Sequence, residues 1–281
     1  MPDTIRHILL SHTQKLHVFS DSARLDVERL LCHVLDVTPS HLYTWSEKIL
    51  TTEEHTLFET LFTQRMNGEP IAYLIGKQGF WKLELCVNEH TLIPRPDTEV
   101  LIETILKRFK QCTKLDVIDL GTGSGAIALS LAHEKPDWAI TAIDYCDKAL
   151  AVAAQNKNAY NLSNVELICG SWYQPIANRQ FDIIVSNPPY IDPSDPKLCP
   201  NVRQYEPTMA LISKDNGLAD ITHIIYQGKA HLKPSGFMIL EHGFQQAQSV
   251  AEIFKSHGYQ AIEHYTDLAG QTRATSATLY A

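Results

Sequence analysis

The chain has 281 residues, 44% of them apolar and 20% charged, which suits one large or two modest globular domains. A formal net charge of −8, with no run of Lys or Arg, argues against a protein whose affinity comes mainly from neutralising phosphates. Six scattered cysteines without a CxxC pair, no h-region at the N-terminus and no long apolar stretch predict reduced thiols in a cytoplasm and no membrane association.

Residues 1–75 read as a helical domain. The stretch SDSARLDVERLLCHVLDV (20–37) offers Ser20 or Asp21 as N-cap and sets Leu25, Leu30, Leu31, Val34 and Leu35 near helical spacing. TTEEHTLFETLFTQRMNG (51–68) opens on a capping box, Thr51 with Glu54, and closes on Gly68 as the residue past the C-cap. Six basic and ten acidic residues make these first 75 positions acidic as well. Such a bundle serves either to recognise a partner or to cover an apolar surface.

The period then changes. In GFWKLELCV (79–87), Trp81, Leu83, Leu85 and Val87 alternate with other residues, which predicts a β-hairpin linker over 76–96. Pro94 and Pro96 bracket Arg95, which either shapes a pocket mouth or joins a structural ion pair. A helix is expected from Asp97 or Thr98 to about Phe109, opening a third segment, 97–281.

In that segment LDVIDL (115–120), AITAID (139–144), VELIC (165–169) and FDIIVS (181–186) are short apolar runs, with helical stretches between the first three. FMILEH (237–242) and the closing ATSATLYA follow. Alternation of this kind predicts a doubly wound α/β domain with a parallel sheet. The thirteen histidines show no HxxxH or HExxH spacing, so no metal site is expected. Nothing marks an obligate interface, and a monomer is expected.

DLGTGSGAIALSLA (119–132) joins a strand to a helix through three alternating glycines. At the carboxyl edge of such a sheet glycines allow a tight turn and close approach of backbone to ligand. Gly121, Gly123 and Ala126 satisfy the dinucleotide pattern GxGxxG/A, so NAD must be weighed. Against it, Asp119 ahead of the loop suits a cationic amino-acid tail better than a pyrophosphate, and Gly125 adds a third glycine. Asp144, about 20 residues after the loop, is placed for ribose hydroxyls in either case.

SNPPYI (186–191) supplies the second clue. Two prolines end an apolar strand in a stiff, extended elbow that carries an amide and a phenol. The nitrogen of a planar amide or amino group is a poor nucleophile. The Asn187 side-chain oxygen and the Pro188 carbonyl can each accept one of its N–H groups, aiming it at an electrophile and favouring pyramidalisation. Tyr190 can pack on the planar target. No strong base is needed, because the product loses its proton after transfer. A sulfonium methyl, as in S-adenosylmethionine (SAM), is the matching electrophile.

With D-x-G-x-G-x-G ahead of N-P-P-Y, the chain resembles class I SAM-dependent methyltransferases, and specifically the HemK/PrmC-type release factor glutamine N5-methyltransferases. The likeness extends through GEPIAYLIG (68–76), IPRPDTE (93–99), Trp172 and Tyr173 after Gly-Ser, YEPTMAL (205–211), GLADI (217–221) and LEHGFQQ (240–246). It implies that Gly121, Thr122, Gly123, Ser124 and Gly125 wrap the methionine part of SAM, that Asp144 binds the ribose and that Trp172 lies along the adenine. It also implies that Asn187 touches both SAM and substrate, with Pro188, Pro189 and Tyr190 completing a glutamine pocket. The implied substrate is the glutamine of the Gly-Gly-Gln loop of class-1 peptide chain release factors, the product S-adenosylhomocysteine, and the helical domain would hold the factor away from that loop. Glu206, in YEPTMAL, either orders the segment after the elbow or serves in a structural ion pair or cap.

Three other readings compete. A DNA or RNA amino methyltransferase would share the clamp but calls for a basic face and a recognition region. An NAD-dependent oxidoreductase leaves NPPY unexplained. A non-catalytic binding protein would have no use for intact acceptors at Asn187 and Pro188.

Overall fold

The computed structural model describes residues 4–195 and 200–280 and divides into two compact units, Met1–Lys77 and Gln78–Ala281. Cys199 and Ala281, the last residue of the expected closing strand, lie outside the described residues.

The first unit is a cluster of five helices: α1 Ile5–Leu16, α2 Ala23–Leu35, α3 Pro39–Thr44, α4 Thr52–Met66 and α5 Ile71–Ile75. Ile5, Ile8, Leu16, Val27, Leu30 and Phe58 recur at helical spacing and are fully buried together. The Thr51 capping box forms, with Glu54 N–H donating to Thr51 Oγ1 at 3.1 Å and Thr51 N–H to Glu54 Oε2 at 2.7 Å. Past Asn67 the chain turns at Gly68 with φ of 97°. Helix α2 begins later than expected, with Ser22 rather than Ser20 or Asp21 at its N-cap. The buried Asp26 carboxylate explains the shift. It draws the hydroxyls of Ser20 and Ser22, both at 2.9 Å, and Arg65 Nε at 2.9 Å, so these hydroxyls serve a tertiary ion pair instead of the helix end.

A hairpin, β1 Lys77–Phe80 and β2 Leu83–Cys86, begins at the last residue of the first unit and runs into the second. Trp81, expected on a strand, sits in the turn with φ of 54°, where Glu99 and Glu134 accept from its backbone and indole N–H groups. A short 3₁₀ turn, Pro96–Thr98, leads into α6 Glu99–Arg108. The α/β alternation follows: β3 Asp116–Leu120, α7 Ala126–Glu134, β4 Ala139–Asp144, α8 Asp147–Ala159, β5 Val165–Cys169 and β6 Phe181–Ser186. After the elbow come α9 Pro200–Tyr205, α10 Lys214–Gly217, α11 Ala219–His231, β7 Leu232–Glu241, α12 Ala247–Ser256, β8 Gln260–Thr266 and β9 Thr272–Leu279.

The seven-stranded sheet runs β5-β4-β3-β6-β7-β9-β8, parallel except for β9, which is antiparallel to both its neighbours. Central strands are buried along nearly their whole length because both faces are covered, as β3 and β6 show. Helix α7 is buried all round from Ala126 to Ala132, its alanines allowing close approach. Strand β8 was not foreseen. It is an edge strand of mostly exposed residues, QAIEHYT, with no apolar alternation and an irregular register against β9.

The strand order reverses between β3 and β6, where Leu120 lies opposite Ser186 in parallel register and Ser186 Oγ donates to the Leu120 carbonyl at 2.6 Å. The glycine loop and the Pro-Pro elbow therefore leave two adjacent strand ends side by side, at the crevice where open α/β sheets bind ligands. Gly217 closes the elbow from behind at φ of +82°, and a Cβ there would lie 2.0 Å from the Tyr190 carbonyl oxygen. Gly217→Ala is expected to lower the unfolding free energy by roughly 2–3 kcal/mol, from left-handed strain plus displaced backbone. Gly270→Ala, at φ of +77° with nothing within 4 Å, should lose only about 1 kcal/mol in the same urea titration. Equal losses would show that the close approach to Tyr190 carries no cost.

Candidate active site

The glycine loop is a built turn. Gly121 and Thr122 N–H both donate to the Ile143 carbonyl at 2.9 Å, and Gly121, Gly123 and Gly125 all have positive φ. At Gly125, the N-cap of α7, a Cβ would meet Leu129 Cδ1 at 2.7 Å. The two non-glycine members face inward. Thr122 Oγ1 donates to Asp119 Oδ2 at 2.6 Å, Ser124 is buried, and its carbonyl accepts from Asn156 Nδ2 at 2.9 Å. Asn156 also exchanges hydrogen bonds with both backbone groups of Cys86, so α8 ties the hairpin end to the loop. Only backbone of Thr122 and Ser124 is left to face a ligand.

Asp119 is wholly buried behind the loop, and its Oδ1 has no hydrogen-bond partner among the described residues. Burial pushes its carboxyl up to about 7, against the pull of Thr122 and the Ala128 N–H. A cation bound in front of the loop would favour the ionised form of this carboxyl. Asp144 ends β4 with Oδ2 accepting from Gly123 N–H at 2.8 Å and Oδ1 from Cys146 N–H at 2.9 Å, which orients its carboxylate toward the loop with lone pairs to spare. Burial raises this carboxyl too. Trp172, held at φ of 48°, lays its ring 3.6 Å from where a Gly121 Cβ would stand. The three parts expected to hold the methionine tail, ribose and adenine are thus brought together at one sheet edge.

On the elbow, Asn187 Nδ2 donates to Thr98 Oγ1 at 3.1 Å and Tyr190 O–H donates to Glu241 Oε1 at 3.1 Å. Burial, with the neighbouring Glu241 charge, holds the Tyr190 phenol far above its usual range, so it stays a neutral donor. The Tyr190 carbonyl accepts from Gln246 Nε2 at 3.0 Å, and Ile191 exchanges backbone hydrogen bonds with Leu211 and Ser213 at 2.9 Å each. Asn187, Tyr190, Ile191, Arg95, Leu211 and Glu241 line a cavity of about 280 Å³, wide enough for one side chain. Arg95 and Glu206 satisfy both expectations at once. They form an ion pair in which Glu206 is buried and also accepts from Ile93 N–H at 3.1 Å, while Arg95 stands at the cavity wall. Glu206 thereby orders the segment after the elbow.

Thr98, Asn156, Glu241 and Gln246 were not singled out from the sequence as site residues. Thr98, Glu241 and Gln246 stood inside quoted motifs, IPRPDTE and LEHGFQQ, but only the fold shows that these motifs meet at the elbow.

Burial also raises the Glu241 carboxyl to about 7. Free Asp and Glu ionise near pH 4. Between those values the folded chain keeps protons on Asp119 and Glu241 that the unfolded chain has released, so these groups make stability fall as pH rises from about 4 to about 7. Asp119→Asn and Glu241→Gln should each flatten that slope, as measured by urea unfolding at several pH values. A slope identical to wild type in both would show that the two carboxyls ionise normally.

The family model for the PrmC N-terminal domain matches residues 8–76, and that for the methyltransferase small domain matches residues 96–199. The release factor glutamine methyltransferase of Aliivibrio fischeri is 45% identical over 257 residues, covering 91% of this chain and 90% of that protein. The protein of the same name from Escherichia coli is 42% identical over 261 residues, covering 93% of this chain and 94% of that protein. Among solved structures, a methyltransferase from Pyrococcus furiosus matches with a TM-score of 0.55 at 17% identity, over 79% of this chain and 98% of that one, which bears on the fold. With relatives this similar over nine-tenths of its length, and with the glycine loop and NPPY elbow opening on one crevice, the chain belongs to the release factor glutamine methyltransferase family.

Proposed function

We propose that this protein transfers a methyl group from SAM to the side-chain amide nitrogen of the glutamine in the Gly-Gly-Gln motif of class-1 peptide chain release factors. The observation that carries the reading is the in-register pairing of β3 and β6, which sets the glycine loop beside a rigid amide-and-carbonyl elbow over a single-residue cavity.

The backbone of Gly121 to Gly125 would hold the methionine part, the Asp119 charge behind it would favour the ammonium group, Asp144 would take ribose hydroxyls and the Trp172 ring would flank the adenine. When bound, SAM supplies a sulfonium methyl, an electrophile that needs no activation by a metal. The remaining chemistry belongs to the chain. The Asn187 amide oxygen and the Pro188 carbonyl each accept one N–H of the glutamine amide, which orients its nitrogen and favours the pyramidal geometry of the transition state. Pro188 and Pro189 keep φ fixed, so the two acceptors need little reorganisation. Tyr190, neutral and pinned to Glu241, forms a flat wall for the substrate side chain. With its nitrogen held by these acceptors, the methylated amide would give up its extra proton to water, so the chain supplies no strong base. The helical unit would hold the release factor at a distance from its Gly-Gly-Gln loop, and the whole reaction would take place in the cytoplasm.

The test is mass spectrometry of a purified release factor after incubation with the protein and SAM. A single methyl shift confined to the Gly-Gly-Gln peptide is expected. Asn187→Ala should lower the rate by about 100-fold or more, the scale of losing one transition-state contact. Asp144→Ala should act differently, weakening SAM binding about 10-fold in calorimetry. Methylation of DNA or RNA but not of the release factor would replace this reading with a base-modifying one. Binding of NADH in place of SAM would show that the glycine loop serves a different cofactor.

A further inference from the structure

Asn187 and Thr98, and Tyr190 and Glu241, form two polar pairs at the elbow. Asn187 Nδ2 donates to Thr98 Oγ1 at 3.1 Å, and Tyr190 O–H donates to Glu241 Oε1 at 3.1 Å. Thr98 and Glu241 are 4% and 2% exposed, so bulk water does not compete for these contacts. Glu241 Oε2 has no hydrogen-bond partner among the described residues, and Glu241 lines the same cavity as Asn187 and Tyr190. The other charged groups acting on Glu241 are Asp97 and Arg273, and Arg273 is already engaged by Asp97 at 3.0 Å and Asp267 at 2.8 Å.

The chemistry of these groups sets the direction of each pair. A carboxylate only accepts, a hydroxyl gives one proton and can accept another, and an amide offers N–H on one side and oxygen on the other. The Thr98 oxygen accepts from Asn187 Nδ2, which turns Asn187 Oδ1 to the opposite side. Without the Thr98 hydroxyl, the amide is free to flip and meet a substrate NH₂ with its own NH₂, donor against donor.

We propose that Thr98 and Glu241 are positioning residues: Thr98 fixes the Asn187 amide with Oδ1 toward the methyl-accepting nitrogen, and Glu241, through the Tyr190 hydroxyl, holds the ring on the cavity wall. This inference rests on the methyl-transfer reading above. The two residues act through Asn187 and Tyr190 rather than on the reacting atoms.

The test uses the full chain with SAM and an unmodified release factor. Thr98→Val, close to isosteric, and Glu241→Gln are expected to lower kcat about 10- to 100-fold, the scale of misplacing one catalytic contact. The Kd for SAM and the KM for the release factor should change by less than about 3-fold, because the lost interaction is made in the transition state. Thr98→Ser keeps the hydroxyl and should retain kcat within about 3-fold. In an Asn187→Ala background, followed in single turnover, Thr98→Val should have no further effect, since the group it orients is gone. Wild-type kcat in Thr98→Val, equal impairment in Thr98→Ser, or an undiminished further loss beside Asn187→Ala would each overturn the proposal. If Thr98→Val does not fold, Thr98→Ala decides by the same kcat-against-KM criterion. A second readout needs no turnover: the Asn187 side-chain NH₂ signals in a nitrogen–proton NMR spectrum, identified by their loss in Asn187→Ala. They should shift in Thr98→Val and hold in Thr98→Ser, and signals unmoved in Thr98→Val would overturn the proposal. Should the wild type transfer no methyl to the release factor, the functional reading fails while the spectra still decide the positioning.

Discussion

The parallel pairing of β3 with β6 is the contact on which the site depends. Leu120 and Ser186 face each other at the strand ends and are locked by the Ser186 hydroxyl on the Leu120 carbonyl. In a parallel pair, a register slip of one residue turns every side chain of a strand to the other face. Here it would also separate the glycine loop from the elbow by the rise of a residue, about 3.3 Å. Val117 and Ile183 pack into one core cluster and Ile118 and Ile184 into another, so a shifted register would have to repack both faces of the sheet. The same force that builds the sheet therefore also aligns the two loops.

Around that pairing the unit tolerates buried acid groups where they organise backbone or side chains. Asp119 braces the glycine turn through Thr122 and α7, Glu206 holds both Ile93 and Arg95, and Glu241 anchors Tyr190. An unpaired charge in such a setting is expensive, and two of these groups respond by holding their protons up to about pH 7. Asp144 plays a related part at lower burial, with each of its oxygens taken by a loop N–H. Stability given up in these places is exchanged for loops with a single conformation, which catalysis by positioning requires.

The elbow is held from several directions at once. Its prolines fix φ, Gln246 and Gly217 close on the Tyr190 carbonyl, and Ile191 pairs with the segment 211–213. Two consecutive left-handed residues ahead of Gly217, Asp215 and Asn216, are strained backbone kept in place by that packing. Rigidity at NPPY is thus shared between the local chemistry of proline and partners that arrive from far along the chain.

The sequence by itself determined what short-range physics controls. Glycine spacing at 121, 123 and 125, the Pro-Pro stop at 188–189, the capping box at Thr51 and the apolar runs of β3 to β6 each carry their structure locally. That is why the doubly wound sheet, the loop and the elbow were legible, together with the family resemblance their order implies. The start of α2, the place of Trp81 in a turn and the existence of β8 were not legible, because distant partners override local preference there: Arg65 acting on Asp26, Glu99 and Glu134 on Trp81, and β9 on an otherwise polar edge. The tertiary structure alone decided that Thr98, Glu241, Gln246 and Asn156 belong to the site. Their hydrogen bonds to Asn187, Tyr190 and the glycine loop span 32 to 89 positions along the chain, and no local pattern encodes a contact at that separation.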